Sequence, residues 1–236
     1  MKKSFLMLTL ALALSGCVSF GEQSNSPGVV YYVLNDTASA GASIPPPADA
    51  ALKDSDPLRA KERVESYAPQ GDSDSLRAEA RERSYAPTLL VLDTTTGSFY
   101  DSDQLVFSRS VGTRGQYQFA RWTERPGKRF ADLMRARLDH LGRYHVAAAG
   151  GYVRGDLMLD TRLVEFYHDA TSEPGQVRLV LRADLVDLKQ RTLLGRHTFE
   201  QQAPLTTYDA AGAAQASSQV VSRTLDDLTA WLATFK

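Results

Sequence analysis

The sequence predicts an α/β (α+β) fold, a two-layer sandwich in which two amphipathic helices pack on a mostly antiparallel sheet. Three observations support this class: several β-branched or alternating runs typical of strands, two segments with apolar residues at helical spacing, and no regular alternation of strand and helix. At 236 residues, the chain is expected to form one domain, or one domain with a tail.

The first half of the chain contains four predicted strands. The run VVYYVL at 29–34 has the β-branched and aromatic content of a buried strand. After a segment of low hydrophobicity, strand character resumes with TLLVL at 88–92, and further strands are predicted at 105–109 and 116–122.

The second half is more regular. A helix is predicted over about 126–141, because apolar residues recur there at helical spacing: Phe130, Leu133, Met134, Leu138 and Leu141. Strands at 156–168 and 177–185 flank the turn cluster DATSEPGQ and predict an antiparallel hairpin, which another strand follows at 192–202. A closing helix is predicted from one apolar stripe: Val220, Val221, Thr224, Leu225, Leu228, Trp231, Leu232 and Phe235.

Composition narrows the classes of function. The 27 basic and 28 acidic residues give a formal net charge of -1 without a basic run, which disfavours nucleic-acid binding. With 43% hydrophobic and 23% charged residues, a wholly disordered chain is also disfavoured. A single Cys cannot close an internal disulfide or supply a structural zinc cluster, so the fold must depend on its hydrophobic core.

The N-terminus has the pattern of a secretory signal. Lys2 and Lys3 precede an apolar run at 5–14, which is too short to cross a bilayer as a helix. The following Leu-Ser-Gly-Cys resembles a bacterial lipobox, which implies a signal peptide at 1–16 and a multiply acylated Cys17 carrying palmitate. The alternative is an ordinary signal peptide with a chance Cys near its cleavage site. Because Val18, rather than Asp, follows the Cys, we expect anchoring at the periplasmic face of the outer membrane.

Two segments of the mature chain are predicted to lie outside the folded core. Residues 17–28 are small and polar and are expected to form a tether. Residues 35–87 form a charged insertion that contains a repeat, LRAKERVESYAP at 58–69 against LRAEARERSYAP at 76–87. The two copies are either a weakly helical or disordered linker, or a docking element that becomes ordered on a partner.

No catalytic constellation is apparent. The sequence lacks a nucleotide-binding glycine loop, a nucleophile elbow, a zincin helix and metal-ligand spacing of Cys and His. The four scattered histidines, including His168, are interpreted as surface or structural residues. Glu165 and His168 are three apart in a predicted strand and are expected to point to opposite faces. No catalytic residue, metal site or cofactor is predicted, and an envelope hydrolase remains the third-ranked alternative.

Two short motifs carry a family resemblance. The first is Arg121-Trp122, with Glu124 nearby and Pro126 leading into the helix; the second is the YYVL run that ends the first strand. With the lipobox and the order of elements, they make the chain similar to the ABC-type transport auxiliary lipoproteins, including PqiC-like intermembrane transport lipoproteins. The resemblance assigns 29–236 to that domain, with 35–87 inserted in it.

The resemblance implies a non-catalytic accessory role in lipid transport across the Gram-negative envelope. The expected partners are an ABC transporter and a substrate-binding protein of the mammalian cell entry type, docked at the outer membrane; homo-oligomerisation is compatible with this role. Arg121, Trp122 and Glu124 are candidate partner-binding residues. Alternatively, Trp122 packs under the first helix while Arg121 pairs with a carboxylate. A different class of function is a structural lipoprotein in assembly of an outer-membrane or surface machine.

Overall fold

The computed structural model describes residues 28–38 and 86–235. The predicted signal peptide, Cys17, most of the tether and most of the insertion with its repeat lie outside these residues. The described residues form the following strands and helices: β1 (Val30–Tyr32), β2 (Thr88–Val91), β3 (Thr95–Thr96), β4 (Gln104–Ser108), β5 (Gly115–Trp122), α1 (Pro126–His140), β6 (His145–Ala148), β7 (Leu157–Asp169), β8 (Gln176–Asp187), β9 (Thr192–Pro204) and α2 (Ala210–Leu232).

All the described strands belong to one mixed sheet, organised around the long strand β7. On one side, β7 pairs with β8 and β8 pairs with β9, both antiparallel. On the other side, the short strands β2, β3 and β4 pair with successive parts of β7, all parallel. Beyond them, β6 pairs with β2, and β5 and then β1 extend from β4. The predicted fold class is confirmed: the long pairings are antiparallel, as expected, and most of the short ones are parallel.

Both helices cover one face of this sheet. The alternating buried residues of β7 and β8, among them Leu159, Leu163 and Leu181, form one hydrophobic cluster with Phe130 and Met134 of α1 and the apolar stripe of α2. α1 begins at Pro126, where a proline loses no helical hydrogen bond. Neither helix in the described part of the chain is long and apolar enough to span a bilayer.

The start of α2 lies about ten residues before the apolar stripe that predicts it. Asp209 is the N-cap, and its carboxylate accepts a hydrogen bond from the Gly212 N–H at 2.7 Å. The first three turns contain small buried residues such as Ala213, Ala216 and Ser217. These small side chains let the helix lie close to the sheet without a strong apolar pattern.

The chain that leaves β1 is held between the two helices. Leu34 is buried, and the Thr37 N–H donates to Ser222 Oγ of α2 at 2.6 Å. The Asp36 carboxylate accepts hydrogen bonds from Arg137 of α1 at 2.6 and 2.8 Å. These bonds raise the pKa of the Arg137 guanidinium, which also pairs with Asp226 of α2. Residues 35–38, assigned to the insertion from sequence, are therefore part of the packed domain.

The opposite face of β7, β8 and β9 carries charged side chains. Glu165 accepts a hydrogen bond from Arg178 Nε at 2.7 Å, and Asp184 accepts one from Arg196 Nε at 2.6 Å. The hydrogen bond from Arg196 lowers the pKa of Asp184 to about 2. Exposed pairs of this kind contribute little to stability. This face is therefore a solvated surface rather than a second core.

Candidate functional site

Trp122 lies in the hydrophobic core. Its side chain is 3% exposed, and its indole stacks on the Phe166 ring with centroids 6.0 Å apart. A small cavity beside it is bounded by Ala213 and Ser217 of α2, and Trp122 belongs to the same hydrophobic cluster as Phe130 and Met134 of α1. Of the two roles expected for Trp122, this burial fits the packing role and leaves no indole surface for direct partner contact.

Arg121 lies on the other side of β5. Because Ala120 and Trp122 are both buried towards the helices, alternation along the strand directs Arg121 to the uncovered face. It is in register with Tyr31 on β1. Its Nη1 atom is shielded from solvent without a hydrogen-bond partner in the described residues, and no carboxylate described in the structure lies at ion-pair distance. Arg121 is thus a cation without an ion-pair partner among the residues that the structure describes.

Glu124 has a local role at the start of α1. Its carboxylate lies 3.6 Å from Lys128 Nζ and 3.9 Å from an Arg129 guanidinium nitrogen. Arg125, the N-cap, makes no capping hydrogen bond through its side chain. A carboxylate near a helix N-terminus is favourable because the helix dipole is positive there. Glu124 therefore stabilises the entry to α1 and remains partly accessible.

β1, the residue after it and β5 form a surface, which we call the β1 patch, of three exposed residues and one partly exposed arginine: Tyr31, Val33, Phe119 and Arg121. Tyr31 is 61% exposed, and Val33 and Phe119 are also exposed. β1 pairs only with β5 in the described residues, so its other edge offers free backbone groups. The patch combines an apolar surface, a cation and an open strand edge.

A second site, which we call the aromatic pocket, lies near the C-terminal end of β4 and the N-terminal end of β5. It has a volume of about 270 Å³. Its walls are aromatic and its rim is polar: Phe107, Tyr117 and Tyr208, with Arg109, Gln116 and Gln118. No group of three or more His, Cys, Asp or Glu side chains in residues 28–38 and 86–235 is placed to hold a metal ion.

Gly115 makes room for one wall of this pocket. It is in register with Phe107 across β4 and β5. A Cβ atom at position 115 would lie 2.7 Å from the Phe107 ring. Without it, the ring lies over the strand and makes an edge contact with Tyr117, with centroids 5.2 Å apart. A glycine inside a strand often marks such a close approach, which is the sequence signal for this wall.

His168 and Tyr117 form a neutral pair behind the pocket. His168 Nε2 lies 3.3 Å from the Pro174 carbonyl, which can only accept, so Nε2 carries the proton and Nδ1 accepts from the Tyr117 hydroxyl at 2.8 Å. Burial lowers the pKa of His168 and raises the pKa of Tyr117 to about 12. His168 is thus structural, as expected. It is buried on the helix side, whereas Glu165 pairs with Arg178 on the open face.

The two phenol hydroxyls at the pocket are already used as donors. Tyr117 donates to His168, and the Tyr208 hydroxyl donates to the Ala170 carbonyl at 3.2 Å. The pocket's remaining donors are the guanidinium of Arg109 and two side-chain amides. The arrangement can bind a polar ligand against aromatic walls, and sequence analysis did not identify it.

Comparisons with known proteins agree with this architecture. The family model of the ABC-type transport auxiliary lipoprotein component matches residues 73–229. The chain is similar to the crystal structure of a DUF330 protein from Xanthomonas campestris, with TM-score 0.57 and 21% identity over 62% of this chain and 83% of the other. It is also similar to the crystal structure of an uncharacterised protein, with TM-score 0.54 and 12% identity over 62% and 92%.

At these identities, the likeness to solved structures concerns the fold alone. A search of curated proteins gave no match. The family match starts after β1, within the insertion, and extends to the last turns of α2. It covers more than half of the sequence, so the chain belongs to the ABC-type transport auxiliary lipoprotein component family.

Proposed function

We propose that this protein is a membrane-anchored, non-catalytic accessory component of an ABC-type system that transports lipid across the Gram-negative envelope. It holds a substrate-binding protein of the mammalian cell entry type at the periplasmic face of the outer membrane. Membership of the family supports the lipoprotein character and the association with a transporter. The lipobox-like sequence ending at Cys17 supports the anchor.

The proposed docking role rests mainly on the β1 patch. Its occupant is an extended segment of the substrate-binding partner, which adds a strand to the free edge of β1 and places a carboxylate near Arg121. Main-chain hydrogen bonds would supply affinity in this mode, and side-chain pockets would supply specificity. Charge complementarity supports this choice, because Arg121 is shielded and uncompensated within the described residues.

The position of the β1 patch in the chain supports docking close to a membrane. Twelve residues run from Cys17 to Gly28, which lies two positions before the start of β1. A chain of that length spans at most about 40 Å. An acylated Cys17 would keep the β1 patch within that distance of the leaflet. Stable attachment takes more than one acyl chain, which a multiply acylated Cys supplies.

Anchoring is tested by cell fractionation. The wild-type protein is expected to fractionate with outer membranes and to incorporate labelled palmitate, whereas Cys17→Ser protein is expected in the soluble periplasmic fraction without label. Membrane association of the Cys17→Ser protein, or an unlabelled wild type, would refute the anchor.

Docking is tested by placing a photocrosslinking amino acid at Tyr31 in the full-length protein in cells. A fully exposed residue on another surface, Tyr152, is the control position. We expect the Tyr31 position to crosslink to the substrate-binding component of the transporter, and the Arg121→Glu change to abolish that product. Arg162→Glu, at an exposed arginine on β7, is the matched charge control.

Three results would contradict docking of this partner. Equal crosslinking from positions 31 and 152 would mean that the β1 patch has no specificity. Crosslinks to outer-membrane assembly proteins would favour the structural-lipoprotein alternative. A self-crosslink would identify a second copy of this chain as the occupant.

A further inference from the structure

Arg109 at the rim of the aromatic pocket differs from the other arginines that contact aromatic rings. Its guanidinium carbon lies 4.9 Å from the Phe107 ring centroid. Arg114 also stacks on a ring, but it pairs with Glu165 at 3.6 Å. Arg143 lies near another ring and donates to two backbone carbonyls after α2. Arg109 alone of the three makes no hydrogen bond or ion pair within the described residues.

The free donors of Arg109 are suited to an anion. The contact of Arg109 with Phe107 is a cation–π contact, and the N–H groups of the guanidinium make no hydrogen bond within the described residues. Arginine donors in this planar arrangement recognise carboxylates and phosphates, and hydrogen bonds between ionised partners are among the strong ones.

The nearby acidic groups bond to other partners and not to Arg109. Asp209 caps α2 and accepts from Gly212 N–H and from the Thr207 hydroxyl at 2.9 Å. Asp169 accepts from the hydroxyl of Thr171 at 2.8 Å. Both carboxylates keep their negative charge, but neither forms an ion pair with Arg109 in the described residues. Gln116 and Gln118 add two amide groups that have no hydrogen-bond partner among the residues described.

The size and walls of the pocket limit the ligand. Its volume of about 270 Å³ is below the usual range of small-molecule sites, which begins at roughly 300 Å³. It has room for a small head group but not for a whole two-chain lipid. The rings of Phe107, Tyr117 and Tyr208 supply apolar surface for the carbon atoms that adjoin the charged group.

We propose that the aromatic pocket binds a phosphate ester, with the phosphate on Arg109 and the two glutamine amides and its organic substituent against the aromatic walls. The choice of a phospholipid head group as the source rests on the proposed lipid-transport function. A soluble phosphate ester shares the same chemistry and is the other source.

The test uses the full-length protein in detergent micelles and isothermal titration calorimetry. The probes are dihexanoyl phosphatidylglycerol, dihexanoyl phosphatidylcholine, which has the same chains but no net charge, and sn-glycerol 3-phosphate. We expect phosphatidylglycerol to bind, with affinity reduced about tenfold or more by Arg109→Gln. Arg162→Gln removes an exposed arginine elsewhere and is expected to change the affinity by less than about twofold.

The location of the phosphatidylglycerol-binding site is tested by NMR. The backbone amide signals of Gln116 and Gln118 are expected to shift with phosphatidylglycerol in the wild type and to remain in place in Arg109→Gln protein. Arg109→Lys keeps the charge but loses the planar donor arrangement, and is expected to give an intermediate affinity.

Each remaining outcome has one interpretation. Binding of glycerol phosphate as tight as that of phosphatidylglycerol supports phosphate-ester recognition with a soluble source. The proposal is overturned if the two phospholipids bind with equal affinity and Arg109→Gln leaves that affinity unchanged. It is also overturned if no probe binds. The Tyr31 crosslink does not involve this pocket, so failure of phosphate binding and failure of docking are separate results.

Discussion

Replacement of Trp122 by Ala tests whether this residue belongs to the core. The indole is 3% exposed and stacks on Phe166. Truncation of a buried tryptophan to alanine usually costs about 3–5 kcal/mol, because apolar contacts are lost and a cavity remains. For a domain of this size, each kcal/mol lowers Tm by roughly 2–4 °C. We therefore expect a decrease in Tm of about 6–20 °C.

The assays are thermal unfolding, which gives Tm, and guanidinium chloride unfolding, which gives the free energy of unfolding, both followed by circular dichroism on the mature protein; the Tyr31 crosslink is measured in parallel. Tyr31→Ala is the matched control: this ring is 61% exposed, and its removal is expected to change the free energy of unfolding by less than about 0.5 kcal/mol. If Trp122→Ala lowers that free energy by less than about 1 kcal/mol and still loses the partner crosslink, Trp122 acts by contact and the packing assignment is refuted.

Three further predictions concern buried features. Asp36→Ala should lower the free energy of unfolding by about 3–5 kcal/mol, because the Asp36 carboxylate is 1% exposed and its removal leaves the largely buried Arg137 without its inner partner. Urea unfolding measures this change, and a loss as small as that of a surface ion pair would contradict the prediction. Gly115→Ala should lower the free energy of unfolding by about 1–3 kcal/mol, since its Cβ would meet the Phe107 ring at 2.7 Å. The same change should weaken phosphatidylglycerol binding, and an unchanged affinity would show that the Phe107 wall of the aromatic pocket is not needed. Burial lowers the pKa of His168, so the unfolded chain binds that proton more tightly and stability should fall as pH drops below about 6.5. Unfolding measured between pH 7 and 5 should show a shallower pH slope for His168→Gln, and identical slopes would contradict the assignment.

The long elements follow from local patterns. The predicted helix at about 126–141 is observed as Pro126–His140, because a proline start and apolar residues at helical spacing are properties of that segment alone. The hairpin of β7 and β8 is likewise confirmed, since alternating side chains and a turn cluster need only neighbouring residues.

Short elements depend on distant partners. β3 and β6 were not predicted, because two to four residues carry little pattern and these strands form only by pairing with β7 and β2. The first strand is shorter than predicted, since Leu34 leaves the sheet and is buried with the helices. The early turns of α2 were missed for a related reason: their alanines and serines are buried by close approach to the sheet, not by hydrophobic character.

The candidate sites divide in the same way. The sequence drew attention to Arg121, Trp122 and Glu124, but it could not say which would face outward; that depends on the core that forms on one side of β5. The aromatic pocket was not predicted at all, because Tyr117 and His168 are 51 residues apart and meet only when β4 and β5 join β7.

Composition and local periodicity were therefore enough to disfavour nucleic-acid binding, to predict an export signal that ends at the single Cys, and to predict a sheet with two amphipathic helices. These features depend on net charge or on residues within a few positions of each other. The parallel pairings of β7, the burial of Trp122 and the meeting of Arg109 with its aromatic neighbours depend on folding. They arise when distant segments share one hydrophobic face, and the packing of that face sets which side chains remain outside.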